Sequence, residues 1–75
     1  MSILVFTKPG CFGCKLSMKK LDDLKLPYQA VDVTQDEEGR QRVQELGYRQ
    51  LPVVVAGDQH WSGFSPDRLT ALADT

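Results

Sequence analysis

Apolar residues fall in runs along this chain, and the length and period of each run predict its element. Ile3 to Thr7 is a short, largely apolar stretch stopped by Lys8-Pro9-Gly10, which reads as a fully buried strand ending in a turn. From about Phe12 to Leu24, Cys14, Met18 and Leu21 recur at the four-then-three spacing of one helical face, while Lys15, Lys19 and Asp22 fall elsewhere. That pattern predicts an amphipathic helix. The Leu26-Pro27 step ends it, because a proline disfavours helical geometry in the residue before it. Tyr28 to Val33 then reads as a second strand.

Thr34, followed three positions later by Glu37, has the pattern of a capping box and predicts a second helix running to about Leu46. Gly47 supplies its left-handed stop, and Gly39 inside it costs about 1 kcal/mol relative to alanine. Val53 to Ala56, the Gly57-Asp58 turn and His60 to Ser62 form a hairpin signal. Ser65-Pro66-Asp67 combines a capping hydroxyl, a proline at the first helical position and an acid in the first turn, ahead of Leu69 and Leu72. A third helix follows. The order β-α-β-α-β-β-α predicts an α/β fold with a four-stranded mixed sheet flanked by three helices. Its first two strands should run parallel, joined by a right-handed crossover.

Composition narrows the class. At 75 residues, 41% hydrophobic and 25% charged, residues 1–75 have room for one domain with a single modest core and no features of disorder. Nine basic and ten acidic residues nearly cancel, so the chain lacks the positive field that nucleic-acid binding requires. The apolar start Ile3-Leu4-Val5-Phe6 is too short for a membrane span or a signal-peptide core and follows no basic residue, so a cytoplasmic protein is expected; a monomer is expected as well.

In a reducing compartment two cysteines make a poor structural staple. Their spacing and their place therefore carry the chemistry. Cys11 and Cys14 enclose two residues where a strand ends and a helix begins, which puts both sulfurs on one side of a turn and within reach of a disulfide. Unpaired amides and the helix dipole favour an anion at Cys11, the attacking sulfur. Cys14 shares the buried face with Met18 and Leu21, a desolvated thiol suited to resolving a mixed disulfide. The pair itself is the redox group, and no cofactor or metal is expected. A closed zinc site needs four ligands, and His60 is the one further soft donor in the chain. An iron-sulfur cluster shared between two chains would need a cysteine from each and an extra thiol.

Other positions carry two readings each. Lys8 adds positive charge near Cys11 or is merely solvated at a strand end. Leu51-Pro52 precedes a hydrophobic strand, where the proline is either a plain strand start or a cis peptide turning the chain tightly. Trp61 and Phe64 bracket Ser62-Gly63 and either fill the core or form a contact surface for a partner. Lys15, Lys19 and Lys20 make one side of the first helix basic, which either meets an acidic partner or is simply the wet face. His60 has no acidic or cysteine neighbour and reads as a solvated strand residue.

With these residues placed, the whole chain resembles the glutaredoxin-like NrdH redoxins, small proteins that reduce ribonucleotide reductase. The resemblance rests on Gly47-Tyr48-Arg49-Gln50-Leu51-Pro52-Val53-Val54, Ala56-Gly57-Asp58, and Trp61-Ser62-Gly63-Phe64 followed at one remove by Pro66-Asp67. It implies a thioredoxin-like fold, a cis Pro52 facing the two sulfurs, and backbone at Leu51 that offers strand-type hydrogen bonds to a substrate. Lys8, Phe12, Leu51 and Pro52 then make the substrate side, and Trp61, Ser62, Gly63 and Phe64 the docking site for a reductase. The implied electron donor is thioredoxin reductase rather than glutathione, because glutathione-binding relatives carry a Gly-Gly pair followed by acids where this chain has Ser62-Gly63-Phe64-Ser65. Two departures stand out. Phe12-Gly13 replaces the usual valine or methionine and glutamine, and Ser65 stands where the family has arginine. A glutathione-dependent glutaredoxin and a binding module without turnover are the competing readings.

Overall fold

Alternation divides the first strand between two cores. In the computed structural model, which describes residues 2–74, Ile3 and Val5 of β1 (Ile3–Thr7) pack on one side of the sheet and Leu4 and Phe6 on the other. Strand β1 is central. It pairs in parallel with β2 (Gln29–Asp32) and antiparallel with β3 (Val53–Ala56), which pairs antiparallel with β4 (Gln59–Ser62), giving the order β2-β1-β3-β4. All of β3 is buried, as its unbroken apolar run requires, whereas β2 and β4 are half-exposed edges.

Three helices cover the two faces. Leu21 of α1 (Phe12–Asp23) and Leu69 and Leu72 of α3 (Pro66–Ala73) close the larger core over Ile3, Val5, Val54 and Trp61. Helix α2 (Glu37–Glu45) closes the smaller one, setting Val43 against Phe6, Val53 and Val55. The architecture is the predicted one. Gly57, at φ +62°, and Asp58 make the two-residue turn between β3 and β4, with glycine at the position where a type II′ turn needs a positive φ.

Local details depart from the sequence reading at four points. Helix α1 ends at the expected place but by a different cause than the Leu26-Pro27 step: Lys25 takes the left-handed conformation at φ 59°, and the Lys25 and Leu26 amides donate to the Asp22 and Leu21 carbonyls, both at 3.0 Å. Helix α2 ends in the same geometry at Gly47, whose amide and that of Tyr48 donate to Gln44 and Val43 at 3.0 and 3.2 Å. The cap of α2 is Asp36 rather than Thr34, its carboxylate accepting from the Gly39 amide at 2.8 Å. Thr34 is drawn instead into a turn on Asp32, whose carboxylate accepts from its amide and hydroxyl at 2.9 and 2.6 Å. Ser65 stands at the N-cap of α3, but its side chain makes no capping bond there. On α1 the buried residues are Cys14, Ser17 and Leu21, with Met18 half-buried beside them.

Gly39 has a packing reason. A Cβ built there would lie 2.6 Å from Cγ1 of Val31 and 3.5 Å from Cε1 of Phe6, so glycine lets α2 sit close on the sheet.

Candidate redox site

The site grows from the end of β1. After Thr7 the chain turns through Lys8-Pro9-Gly10, with Gly10 at φ 77°, and the Cys11 amide donates to the Lys8 carbonyl at 3.4 Å. Cys11 is the N-cap of α1, extended at φ −86° and ψ 107°, while its carbonyl accepts from the Lys15 amide at 3.2 Å. Its sulfur plays the part that a serine or aspartate oxygen plays at other helix starts: Sγ accepts from the Cys14 amide at 3.2 Å. The first turn of α1 holds no acidic residue, whereas α2 has Glu37 and Glu38 there and α3 has Asp67. At this end the positive pole of the helix therefore faces sulfur and no carboxylate of its own first turn.

Cys11 and Cys14 are joined in a disulfide with Cα atoms 5.2 Å apart, inside the ordinary range for such bonds. Their surroundings differ as the helical face requires. Cys14 is 1% exposed and Cys11 9%, so the edge of the pair that meets solvent belongs to Cys11. Phe12, between them, is 73% exposed.

Two further segments converge on this turn. The Leu51-Pro52 peptide is cis, and the buried Pro52 ring lies against the helix start: a Cβ at Gly13 would stand 3.1 Å from Pro52 Cδ and 3.9 Å from Phe64 Cβ. The segment after β4 is pinned to the proline segment by the Gly63 amide donating to the Pro52 carbonyl at 2.8 Å and by Ser62 Oγ donating to the Gln50 carbonyl at 2.8 Å. Gly63, at φ 89°, makes the bend that brings Phe64 over Gly13. Phe12 and Gly13 separate the two cysteines, Pro52 and Phe64 lie against Gly13, and Leu51, Ser62 and Gly63 belong to the two segments that bring them to the redox turn. Lys8 is exposed beside it and enters through its carbonyl.

Trp61 is placed differently. Its ring is buried in the larger core, under the Arg68 guanidinium at 5.5 Å from the ring centroid, and its Nε1 has no hydrogen-bond partner among the described residues. His60 is exposed, and its Nδ1 lies 2.7 Å from the Tyr48 hydroxyl, a pairing between β4 and the loop after α2 that the linear sequence gives no sign of. The sequence reading also passed over a cavity of about 580 Å³ lined by Arg40, Gln44, Tyr48, Arg49 and Leu51 among others. The Gly47-to-Leu51 run was the available signal. Among the described residues no group of three or more His, Cys, Asp or Glu side chains is placed to hold a metal ion, and no helix is long and apolar enough to cross a membrane.

Comparison with known proteins agrees with this geometry. The glutaredoxin family model matches residues 3–61. The glutaredoxin-like protein NrdH of Escherichia coli (strain K12) is 33% identical over 72 residues, covering 96% of this chain and 89% of that one. NrdH of Salmonella typhimurium (strain LT2) is 35% identical over 75 residues, covering 100% and 93%. Among solved structures, NrdH-redoxin from Escherichia coli, a glutaredoxin-like protein with a thioredoxin-like activity profile, superposes at a TM-score of 0.92 with 33% identity, covering 96% of this chain and 95% of that one.

Proposed function

This chain belongs to the glutaredoxin family as an NrdH-type, glutaredoxin-like redoxin, a disulfide oxidoreductase with the thioredoxin-like fold, and from that premise we propose that it carries electrons from thioredoxin reductase to ribonucleotide reductase. The Cys11 thiolate attacks a disulfide of the partner, forming a Cys11–partner mixed disulfide and releasing one partner thiolate. The Cys14 thiolate then attacks Cys11 Sγ, which closes the Cys11–Cys14 disulfide and releases the second partner thiol. Two electrons have passed to the partner. NADPH-fed thioredoxin reductase returns two electrons to the pair, which serves as its own redox group without a bound cofactor. The observation that carries this reading is the Cys14 amide donating to Cys11 Sγ at a helix start free of acids, with the second sulfur sheltered behind it.

On this reading the protein acts as a cytoplasmic monomer. Phe12, the Leu51 backbone and Pro52 receive the partner segment carrying the target disulfide, and Lys8 adds positive charge at that side. Ser62, Gly63 and Phe64 provide the surface for the reductase, with Trp61 supporting them from the core. The similarity to a protein of thioredoxin-like activity profile favours thioredoxin reductase as donor. The direct test is NADPH oxidation with purified thioredoxin reductase and the disulfide form of ribonucleotide reductase. Turnover is expected without glutathione, and activity that depends on glutathione and glutathione reductase overturns the assignment. Cys14→Ser should trap a mixed disulfide through Cys11.

A second reading has one specific observation in its favour. The cavity beside Leu51 is lined by Arg40 and Arg49, a cationic surface able to take a small anionic peptide such as glutathione. The same assay separates the two.

A further inference from the structure

Ser17 is fully buried, at 0% exposure, and its hydroxyl has no hydrogen-bond partner among the described residues. A helical serine ordinarily donates to the carbonyl one turn back, and even that bond is not made. In the disulfide form the oxygen is therefore an uncompensated polar group in a core that an alanine would fill without loss. Its position offers a use. Ser17 lies three residues after Cys14 on the buried face of α1, and helical side chains lean toward the N-terminus, so the hydroxyl lies over the turn that carries Cys14.

The sulfur at Cys14 has little else to stabilise a charge. It is 1% exposed, so water is nearly excluded, and its own amide is directed to Cys11 Sγ. While the disulfide is closed, Cys14 is uncharged and a poor acceptor. Once the pair opens, Cys14 must become a thiolate to act, and desolvation opposes that. We infer that the Ser17 hydroxyl donates to the Cys14 thiolate and holds it ionised for the resolving step. The inference rests on the reading of Cys14 as the resolving thiol.

In that step the Cys14–Cys11 S–S bond forms, the Cys11–partner S–S bond breaks, and the electron pair leaves on the partner sulfur as a thiolate. The proton lost from Cys14 has already gone to solvent, and Ser17 keeps its own. Ser17 is thus a positioning residue acting through Cys14. Raising the Cys14 pKa one unit lowers the thiolate fraction tenfold. Higher intrinsic nucleophilicity recovers about a factor of three, leaving resolution about threefold slower near neutral pH.

The test follows the reduced protein reacting with one equivalent of 5,5′-dithiobis(2-nitrobenzoate). Attack by Cys11 releases a first thionitrobenzoate, and ring closure by Cys14 releases a second. For Ser17→Ala we expect an unchanged first phase and a second phase about threefold slower at pH 7, with its pH midpoint about one unit higher. Ser17→Thr, which keeps the hydroxyl, restores the wild-type second phase. A Ser17→Ala protein whose second phase keeps the wild-type rate and midpoint overturns the inference, as does slowing of both phases alike with the midpoint unmoved. A wild-type protein that releases only the first equivalent overturns the resolving role of Cys14, and this inference with it.

Discussion

At the scale of single residues, the site separates into groups that do chemistry and groups that meet a partner. Phe12 is 73% exposed between the two cysteines and supports no part of either core. Its ring is therefore available for docking, and Phe12→Ala should lower kcat/KM toward a protein disulfide about tenfold while leaving the melting temperature unchanged. A small aromatic disulfide, which needs no docking surface, should react with the variant at the wild-type rate. Tyr28 allows a separate test by pH. Burial, and after it the Asp22 carboxylate, raise its phenol above the ordinary value of 10.0. The folded chain then keeps a proton that the unfolded chain has released, so the stability tied to this group is full below pH of about 10 and is lost as pH rises through the higher folded value. Urea titrations of Tyr28→Phe should show a shallower decline above that pH. The roles of Cys11 and Cys14 were readable because spacing and the strand-to-helix junction both point to them. Ser17 was not, since a search for apolar periodicity passes over a serine on the buried stripe. Trp61 carried two readings in the sequence, and its burial in the larger core takes the ring off the surface.

Helices and strands show which local signals prevail when several compete. Helices α1 and α2 end in the same hydrogen-bond pattern, but the left-handed residue is Lys25 in one and Gly47 in the other. A side chain in that region costs about 1–2 kcal/mol, and the added freedom of glycine in the unfolded chain returns part of the gain. Lys25→Gly should therefore stabilise the protein by about 0.5–1 kcal/mol, read as a melting temperature several degrees higher. Gly39→Ala should do the reverse. The helix favours alanine by about 1 kcal/mol, but a methyl at 2.6 Å from Val31 forces α2 off the sheet, and a net loss of about 1–2 kcal/mol in denaturant unfolding is expected. Element order was legible because turn residues bound each run, and β1 and β3 have the limits read from the sequence, whereas β2 is one residue shorter at each end than Tyr28 to Val33 and β4 starts one residue earlier than His60. The stops and caps were less so. Thr34 and Asp36 can each cap the same helix, and the choice fell to Asp36 because Asp32 engages Thr34 first. Nothing in the residues around Lys25 marks it as left-handed, and Pro27 offered a stop that the chain did not need.

For the molecule as a whole, the two faces of the sheet are unequally held. The larger core takes Leu21, Leu69 and Leu72 from two helices, while α2 is fastened by the buried Val43 and the close approach at Gly39. Opening of α2 should therefore need less free energy than opening of α1, and its amides should exchange with deuterium faster under native conditions. Equal protection of the two helices would contradict this. The redox turn stands on the better-held side, so motion of α2 leaves the sulfurs in register. A last consequence comes from the way Cys11 is capped. The nearest group attracting an anion there is the Cys14 amide, fixed by the helix, with no acidic side chain in the first turn to oppose it. Dissolved ions screen exposed charges over about 10 Å at 0.1 M but scarcely weaken a dipole in direct contact. Added salt should therefore slow encounter with a charged partner more than it weakens the hold of this amide on the sulfur.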